Sequence, residues 1–398
     1  MTSLRAPRPD RRVVAFVVLI GFAINQLRIT VGGAGKFILE YPGFSDFGSY
    51  YLYAQVGLHQ GWNHLYDLAA QRQEWLRYGG PDVIPWFPMI YPPPLAWLVM
   101  PFTVLPLPAA LGCWIALLVG LTLIAWRLVA PGRSRLARWT ALAAMLAVFP
   151  VAYGIILGQV LILELAAIAA AWWLLARGRE IPAGVLLLAL VFKPQVAILL
   201  PVVLLLVGRW RTLLVWGAGL ALMAGVAVAT TGLNGLHEYA IRLFSAAAVE
   251  PQFLVPTQFT LAGTLGHGLV TIVVSASFAL LALAAAWRQR ATGVAVPLAC
   301  ALVGSMLITP YLHWQDLATL LLAGGIALHG PLDRPSRLIL AAGYGVLLAS
   351  FYWGAGFIGL LLLAGEAAFL LVVLVGPMSG RPARAAETVR GVPLDRAA

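Results

Sequence analysis

Long apolar runs separated by arginine clusters extend from residue 13 almost to the end of this 398-residue chain. Of its residues 61% are hydrophobic and only 10% are charged, whereas about a quarter of the residues of a soluble protein are charged. A run of about 20 apolar residues crosses a bilayer as one helix, and these runs alternate too weakly for an outer-membrane barrel. The sequence therefore predicts an all-α protein that crosses a membrane many times.

The positions of the arginines predict the topology. They cluster between the apolar runs, at Arg5 to Arg12, Arg127 to Arg138, Arg177 and Arg179, Arg209 and Arg211, Arg288 and Arg290, Arg334 and Arg337, and Arg381 and Arg384. If every cluster is cytoplasmic, the chain crosses the membrane an even number of times between clusters, which gives about twelve spans with both termini inside. The net charge of +11 then comes from arginines that lie beside membrane lipids between the apolar runs. For this reason no nucleic-acid partner is expected.

This topology divides the chain into a few segments. They are a cytoplasmic N-terminus at 1–12, one transmembrane domain at 13–376, a first outer loop at 28–91, a second outer loop at 233–263 and a cytoplasmic tail at 377–398. The first apolar run is expected to be a retained signal anchor. Helical periodicity predicts two helices lying on the membrane surface in the first outer loop, at Phe44–Gln60 and Asp67–Tyr78.

One carboxylate, Asp46, follows the first apolar run and is accompanied by tyrosines. Asp46, Tyr50 and Tyr53 are spaced i, i+4 and i+7, so in a helix they share one face. Such an acid can accept a proton from a sugar hydroxyl while the aromatic rings stack on the sugar. A helix-capping role for Asp46, with the tyrosines as interfacial anchors, explains these residues equally well.

Polar motifs from distant parts of the chain share the outer side under this topology. They are Asp46 with its tyrosines, Tyr91-Pro92-Pro93-Pro94, Gly158-Gln159, Lys193-Pro194-Gln195, the segment 234–263, and Tyr311-Leu312-His313-Trp314-Gln315-Asp316. Their convergence on one face indicates an active site there. Glu366 is separate from them, since it lies inside the last apolar run with no visible partner.

The order of these motifs resembles the polyprenol-dependent membrane glycosyltransferases of family 87, which include α-1,2-mannosyltransferases. The resemblance rests on Asp46, then Ala54, Gly61 and Leu65-Tyr66-Asp67, then Tyr91-Pro92-Pro93-Pro94-Leu95, Gly158-Gln159 and Lys193-Pro194. It implies a GT-C architecture, which is a helical bundle with juxtamembrane helices in the first outer loop, and a polyprenyl-phosphate sugar donor. The catalytic aspartate of the family would be Asp46, and its later histidine would be His313.

The chain departs from the family pattern at two places. Leu161 stands where family members often have asparagine, and Thr257-Gln258-Phe259-Thr260-Leu261 replaces N-Q-S-L. The resemblance implies that the amide side chains of these family motifs help to bind substrate. Because they are changed here, the identities of the sugar and the acceptor stay open. No second acid lies at D-x-D spacing from Asp46, so neither a metal nor another cofactor is expected.

Sugar transfer needs a general base for the acceptor hydroxyl and cations or donors beside the leaving phosphate. Asp46 is the expected base. The expected phosphate-side residues are Lys193, Arg242 and His313. Lys193 could instead pair with Glu164, and Arg242 could be a solvated surface charge. His313 could equally be an interfacial residue between two aromatic neighbours.

The remaining polar and aromatic residues of the outer motifs are expected to bind substrate. They are Tyr50, Tyr53, Tyr91, Gln159, Gln258, Trp314 and Asp316. Asp316 lies almost one helical turn after His313, so its carboxylate is also expected to orient the imidazole.

The expected function is transfer of a hexose, with mannose first, from a polyprenyl phosphate to a lipid- or glycan-linked acceptor at the outer face of the plasma membrane. Arabinofuranose is the alternative sugar. A lipid-linked sugar flippase is the alternative from another class, and it would place charges along a central path through symmetric repeats. In a non-catalytic scaffold, Asp46 would be dispensable.

Overall fold

The computed structural model describes residues 10–78, 89–132, 134–254, 259–353 and 355–376. Within these ranges the chain is helical and contains no β-strand. The prediction of an all-α protein is therefore confirmed.

The first half of the chain contains helices α1 to α9. They are α1 (Arg11–Thr30), continued by a π-helical turn (Val31–Gly35) into α2 (Lys36–Glu40), then α3 (Asp46–His59), α4 (Leu68–Arg77), α5 (Pro94–Val99), α6 (Leu107–Val129), α7 (Arg135–Leu146), α8 (Phe149–Leu157) and α9 (Leu161–Leu175), with short 3-10 turns at Pro42–Phe44, Trp62–His64 and Met100–Val104. Helix therefore continues to Glu40, well inside the first outer loop expected from residue 28. The two helices expected in that loop are present as α3 and α4, but most residues of α3 are buried within the protein.

The second half contains helices α10 to α18. They are α10 (Glu180–Leu186) with a 3-10 turn at Leu187–Val191, a 3-10 turn at Pro194–Ala197, α11 (Leu200–Leu206), α12 (Trp210–Leu254), α13 (Leu261–Leu265), α14 (Leu269–Gln289), α15 (Ala295–Ile308), α16 (Ala318–Ala327), α17 (Arg334–Ala349) and α18 (Ala355–Val375), with 3-10 turns at Arg290–Thr292 and Trp314–Leu317. The second outer loop expected at 233–263 is largely helical, because α12 continues to Leu254 after a kink at Gly232, where φ is 70°.

The expected number of about twelve spans is not confirmed. Of the described helices, five are long and apolar enough to cross a membrane, or six if the bent pair α7 and α8 forms one span. Several other apolar helices are only 10–17 residues long. Leu161–Leu175 has 15 residues, and at 1.5 Å per residue it rises about 22 Å, less than the ~30 Å hydrocarbon core.

The centre of the bundle is formed by α9 and α15, most of whose residues are buried. Helices that are apolar on all sides are buried in this way. α9 begins just after Gln159 and ends just before Arg177, while α15 begins after Arg290 and ends shortly before the motif that contains His313. The polar motifs therefore gather at one end of these helices and the arginines lie at the other end.

Candidate active site

Asp46 is the first residue of α3, and the residue before it caps the helix. The Ser45 hydroxyl accepts the backbone N–H of Gly48 at 2.8 Å, which is the hydrogen bond of an N-cap. The Asp46 carboxylate is thereby left for other partners, and its Oδ2 accepts the Nε2 amide of Gln159 at 2.9 Å. The capping explanation of Asp46 is wrong, since Ser45 performs that role.

A glycine turn between α8 and α9 brings Gln159 to Asp46. Gly158 has φ 73°, the left-handed conformation that favours glycine. A Cβ at this position would lie 2.6 Å from the Cβ of Phe47, so only glycine lets the turn approach the start of α3 this closely. The Trp114 indole donates to the Gly158 carbonyl at 2.8 Å and its ring stacks on Phe47 at 5.2 Å. Packing and hydrogen bonding together fix the amide beside the carboxylate.

The tyrosines of α3 join this network through their hydroxyl groups. The Tyr50 hydroxyl lies 3.5 Å from the side-chain oxygen of Gln159 and 3.4 Å from the Tyr91 hydroxyl. Tyr50 is 0% exposed and Tyr53 is 2% exposed, so neither ring offers an open face for a sugar in this structure. Tyr91 is partly exposed. The predicted spacing along α3 is observed, but Tyr50 and Tyr53 pack into the core.

Lys193 lies in the break between two 3-10 turns and is 3% exposed. Its ammonium forms an ion pair with Asp316, which is 0% exposed. Its backbone N–H donates to Glu164 Oε1 at 2.6 Å. From the sequence, Glu164 was the possible partner of the Lys193 ammonium, whereas in the structure the ammonium pairs with Asp316. A buried cation of this kind requires such a partner.

Asp316 also supports the segment that contains His313, through the backbone. Its Oδ2 accepts the His313 N–H at 2.8 Å, while the imidazole contacts the Tyr311 hydroxyl. The expected bond from the Asp316 carboxylate to the imidazole is therefore replaced by one to the His313 backbone. Burial lowers the pKa of His313 to about 4, although Asp316 opposes this and Lys193 adds to it. At neutral pH the ring is uncharged and serves as a hydrogen-bonding group.

Asp46 and the Lys193–Asp316 pair influence one another electrostatically. Burial raises the pKa of Asp46 to about 6, while Lys193 and the Gln159 amide lower it and Asp316 raises it further. Asp46 is therefore mostly ionised at pH 7 and becomes protonated as the pH falls through about 6. A carboxylate with a pKa close to the working pH is suited to general-base catalysis.

Two of the expected site residues have other neighbours, and one lies outside the described ranges. Arg242 lies on α12 and forms an ion pair with Glu238 at 3.2 Å, one turn along the helix. Trp314 packs edge-on against Phe149 and Phe259, with ring centroids 5.9 and 4.5 Å apart. Gln258 is not among the described residues.

Two aromatic residues that were not anticipated from the sequence, Phe149 and Tyr153, form a row with Trp314. Phe149 stacks on Tyr153 at 4.7 Å and contacts Trp314 at its other side. Tyr153 is partly exposed and is influenced by the charge of Asp46. The spacing of Phe149 and Tyr153, four residues apart just before Gly158-Gln159, is the signal that could have identified the row. Its partly exposed rings offer the stacking surface that Tyr50 and Tyr53 do not.

Asp46, Tyr50, Gln159, Lys193 and Asp316 form a polar cluster. This polar cluster can hold and release a proton at Asp46 near the cation of Lys193. Among the described residues, no group of three or more His, Cys, Asp or Glu side chains is arranged to hold a metal ion. The groups that the structure brings together here are Asp46, the Lys193–Asp316 pair, and the amide and hydroxyl groups around them.

Comparison with known proteins identifies the family. The model of glycosyltransferase family 87 matches residues 89–310, which is more than half of the 398 residues. The match contains Tyr91, Gln159 and Lys193, whereas Asp46 and the His313–Asp316 segment lie outside it. No curated protein and no solved structure matches the chain. This chain therefore belongs to glycosyltransferase family 87, and it is a membrane glycosyltransferase.

Proposed function

We propose that the protein transfers a hexose, with mannose as the expected sugar, from a polyprenyl monophosphate to an acceptor hydroxyl. The observation that carries this proposal is the Asp46 carboxylate, held by Gln159 at 2.9 Å and influenced by the charge of Lys193. A base and a cation within one buried cluster are the two groups that displacement of a phosphate at a sugar carbon requires. Family membership supports the reaction class, and the GT-C architecture is part of the proposal.

The proposed reaction is a single displacement at the anomeric carbon. The acceptor oxygen forms a bond to that carbon while the bond from the carbon to the phosphate oxygen breaks. The electron pair of the broken bond leaves with the polyprenyl phosphate, and the hydroxyl proton passes to Asp46. Attack from the face opposite the phosphate inverts the configuration at the anomeric carbon.

Asp46 is the proposed base because it is ionised at neutral pH and is partly exposed beside the aromatic row. Gln159 keeps the carboxylate in place by donating to one of its oxygens, which leaves the other oxygen for the acceptor hydroxyl. A positioned base of this kind accelerates a reaction about 10²- to 10⁴-fold.

Lys193 is the proposed partner of the leaving phosphate. Its ammonium is already paired with Asp316, so the growing negative charge on the phosphate would share the cation with that carboxylate. His313, in the same segment as Asp316, would donate an N–H of its neutral imidazole to the phosphate. Arg242 is a weaker candidate in this proposal, because its guanidinium pairs with Glu238.

The arrangement of the bundle supports an active site on the extracytoplasmic side of the plasma membrane. The polar cluster lies at the ends of α9 and α15 opposite to the ends beside Arg177 and Arg290. Arginine-rich ends of membrane helices face the cytoplasm. In this proposal the donor approaches from the outer leaflet, with its prenyl chain in the membrane and its sugar beside Asp46.

The Asp46→Asn substitution tests the base. The asparagine side-chain oxygen can still accept from Gln159, so the protein is expected to fold and insert while transfer falls about 10²- to 10⁴-fold. The matched control is Asp67→Asn, since Asp67 caps α4 and asparagine caps a helix equally well. The rate is measured with purified full-length protein, polyprenyl-phosphate mannose and membrane extract as the acceptor. Transfer by Asp46→Asn at the control rate would show that Asp46 is not the base.

The donor sugar is tested in the same assay. Mannose is expected to be transferred faster than arabinofuranose from the same polyprenyl phosphate. If only arabinofuranose is transferred, the base and leaving-group assignments stand and the sugar changes. If Asp46→Asn has no effect with either donor, the catalytic proposal fails.

A further inference from the structure

An apolar cavity lies within the bundle, separate from the polar cluster. Its volume is about 420 Å³, and its walls come mainly from α6, α7, α16, α17 and α18. Small residues in its walls, glycines and alanines, leave room for the cavity. Among them are Gly343 on α17 and Gly365 on α18. A Cβ at either glycine would meet nothing within 4 Å, so both positions face open space. The cavity has the apolar lining and the volume to hold a hydrocarbon chain.

Glu366 lies in the wall of this cavity, and one of its carboxyl oxygens is buried without a hydrogen-bond partner. Glu366 lines the cavity and is 8% exposed, and its Oε2 has no partner in the structure. A carboxyl in the hydrocarbon region is stable as the neutral acid, because an ionised group there loses the solvation of water. A neutral acid has an O–H to donate. The cavity therefore contains a hydrogen-bond donor that lacks an acceptor.

An arginine marks the mouth of the cavity on the arginine-rich side of the bundle. Arg337 lines the cavity and is exposed, whereas the other wall residues near it are apolar. Exposed arginine near the end of a membrane helix faces the headgroup region, where phosphate is its natural partner. The cavity thus presents a cation at its mouth and a hydrogen-bond donor inside.

The depth of Glu366 relative to Arg337 follows from the α17–α18 hairpin. At one end of the hairpin Gly376 lies beside Asp333, and at the other end α17 ends at Ala349 and α18 begins at Ala355. Counting 1.5 Å per residue from either end places Glu366 between about 2 and 9 Å deeper than Arg337. In a phospholipid, the ester carbonyl lies below the phosphate by a distance in this range, and the acyl chain follows it.

We propose that this cavity binds an anionic glycerophospholipid from the leaflet on the arginine side, with its phosphate at Arg337, an ester carbonyl accepting from Glu366 and one acyl chain inside the cavity. A polyprenyl phosphate has a phosphate and a hydrocarbon chain but no carbonyl to accept from Glu366. A bound lipid would fill the space between α16, which begins two residues after Asp316, and α17. This lipid site is independent of the proposed sugar transfer.

Lipid binding to the purified, delipidated full-length protein tests the site. Dioleoyl phosphatidylglycerol is expected to remain bound in native mass spectrometry and to raise the Tm of the wild type. Dioleoylglycerol, which lacks the phosphate, is expected to bind about 10-fold more weakly, since charge-assisted hydrogen bonds are the strong ones. Equal binding of the two lipids would overturn the role of Arg337. Saturable binding of polyprenyl phosphate at this cavity, in place of phosphatidylglycerol, would overturn the choice of occupant.

Filling the cavity provides the matched comparison. Gly343→Leu places a side chain in the open space and is expected to abolish the Tm increase caused by phosphatidylglycerol. The control is Gly345→Leu. Gly345 lies two residues after Gly343 on α17 and is not among the residues that line the cavity, so this variant is expected to behave as the wild type. Gly365→Leu fills the cavity from α18 and replaces Gly343→Leu if that variant does not fold. A full lipid effect in a folded cavity-filled variant would overturn the proposal.

Conservative replacement tests the hydrogen bond of Glu366. Glu366→Gln keeps an N–H donor and is expected to retain phosphatidylglycerol binding, whereas Glu366→Leu is expected to lose about three- to tenfold in affinity. If the glutamine and leucine variants lose binding equally, the acid does not donate to the lipid and this contact is wrong.

Discussion

The polar cluster and the apolar cavity each contain a buried carboxyl group, and the two groups have opposite surroundings. Asp316 is 0% exposed and meets the Lys193 ammonium and the His313 N–H. Glu366 is 8% exposed and leaves Oε2 without a partner. A buried carboxyl with all its partners belongs to a network that the protein completes by itself. A buried carboxyl oxygen without a partner requires an explanation, and the proposed lipid supplies one for Glu366.

Removing the cation should have the largest effect on stability. Lys193→Met leaves Asp316 buried beside an apolar side chain, and breaking a buried ion pair in this way costs about 3–5 kcal/mol. A large decrease in Tm is therefore expected in thermal unfolding of the purified protein in detergent. The double variant Lys193→Met/Asp316→Leu should recover much of that loss, because the buried charge of Asp316 is removed together with that of Lys193. An unchanged Tm in the single variant would show that the ion pair does not hold the cluster together.

Removing the amide beside Asp46 should have an intermediate effect, visible in the pH dependence. The wild-type kcat/KM is expected to fall as the pH drops through about 6, because protonation removes the base. The Gln159 hydrogen bond favours the ionised carboxylate, so its loss in Gln159→Leu raises the pKa. The midpoint should therefore move to higher pH by about one unit.

Gln60→Leu is the matched control for that shift. Gln60 lies at the other end of α3, where its amide donates to Glu74 at 3.3 Å. Its pH profile should coincide with that of the wild type. A midpoint that is unchanged in Gln159→Leu would mean that the amide does not tune Asp46.

Removing the unpartnered acid Glu366 should have the smallest effect. It should raise the stability of the protein, whereas removing Lys193 should lower it. Glu366→Leu removes a polar group that has no acceptor, so it is expected to stabilise the delipidated protein by about 1 kcal/mol. The comparison is Glu164→Leu, because Glu164 is also buried, at 0% exposure, but its Oε1 accepts the backbone N–H of Lys193. Tm should rise in the first variant and fall in the second. A decrease in both would remove the distinction between the two regions.

The sequence predicted the local features of the site better than its contacts. The spacing of Asp46, Tyr50 and Tyr53 on one helix is observed. Ser45 caps that helix in place of Asp46 because the chain enters α3 with Ser45 in the extended conformation that a cap requires. Two adjacent polar residues are equally good capping candidates in a sequence, and only the path of the backbone distinguishes them.

The long-range partners were predicted less well, for a related reason. The ammonium of Lys193 pairs with Asp316, 123 residues away, and the amide of Gln159 meets Asp46, 113 residues away. Glu164 was the nearer acid along the chain, but it accepts the backbone N–H at the helix break. Arg242, expected in a loop, lies on a helix where Glu238 is one turn away.

The sequence by itself determined that this chain is a helical membrane protein with its polar motifs gathered apart from its arginines. Hydropathy and charge can be read along a chain because the bilayer selects apolar stretches one at a time. Tertiary structure alone decided which carboxyl meets Lys193, which tyrosines are closed to a ligand, and where the glycines and alanines of separate helices leave a cavity. These outcomes depend on how helices pack against one another, and packing brings together residues whose separation along the chain carries no information about their distance in space.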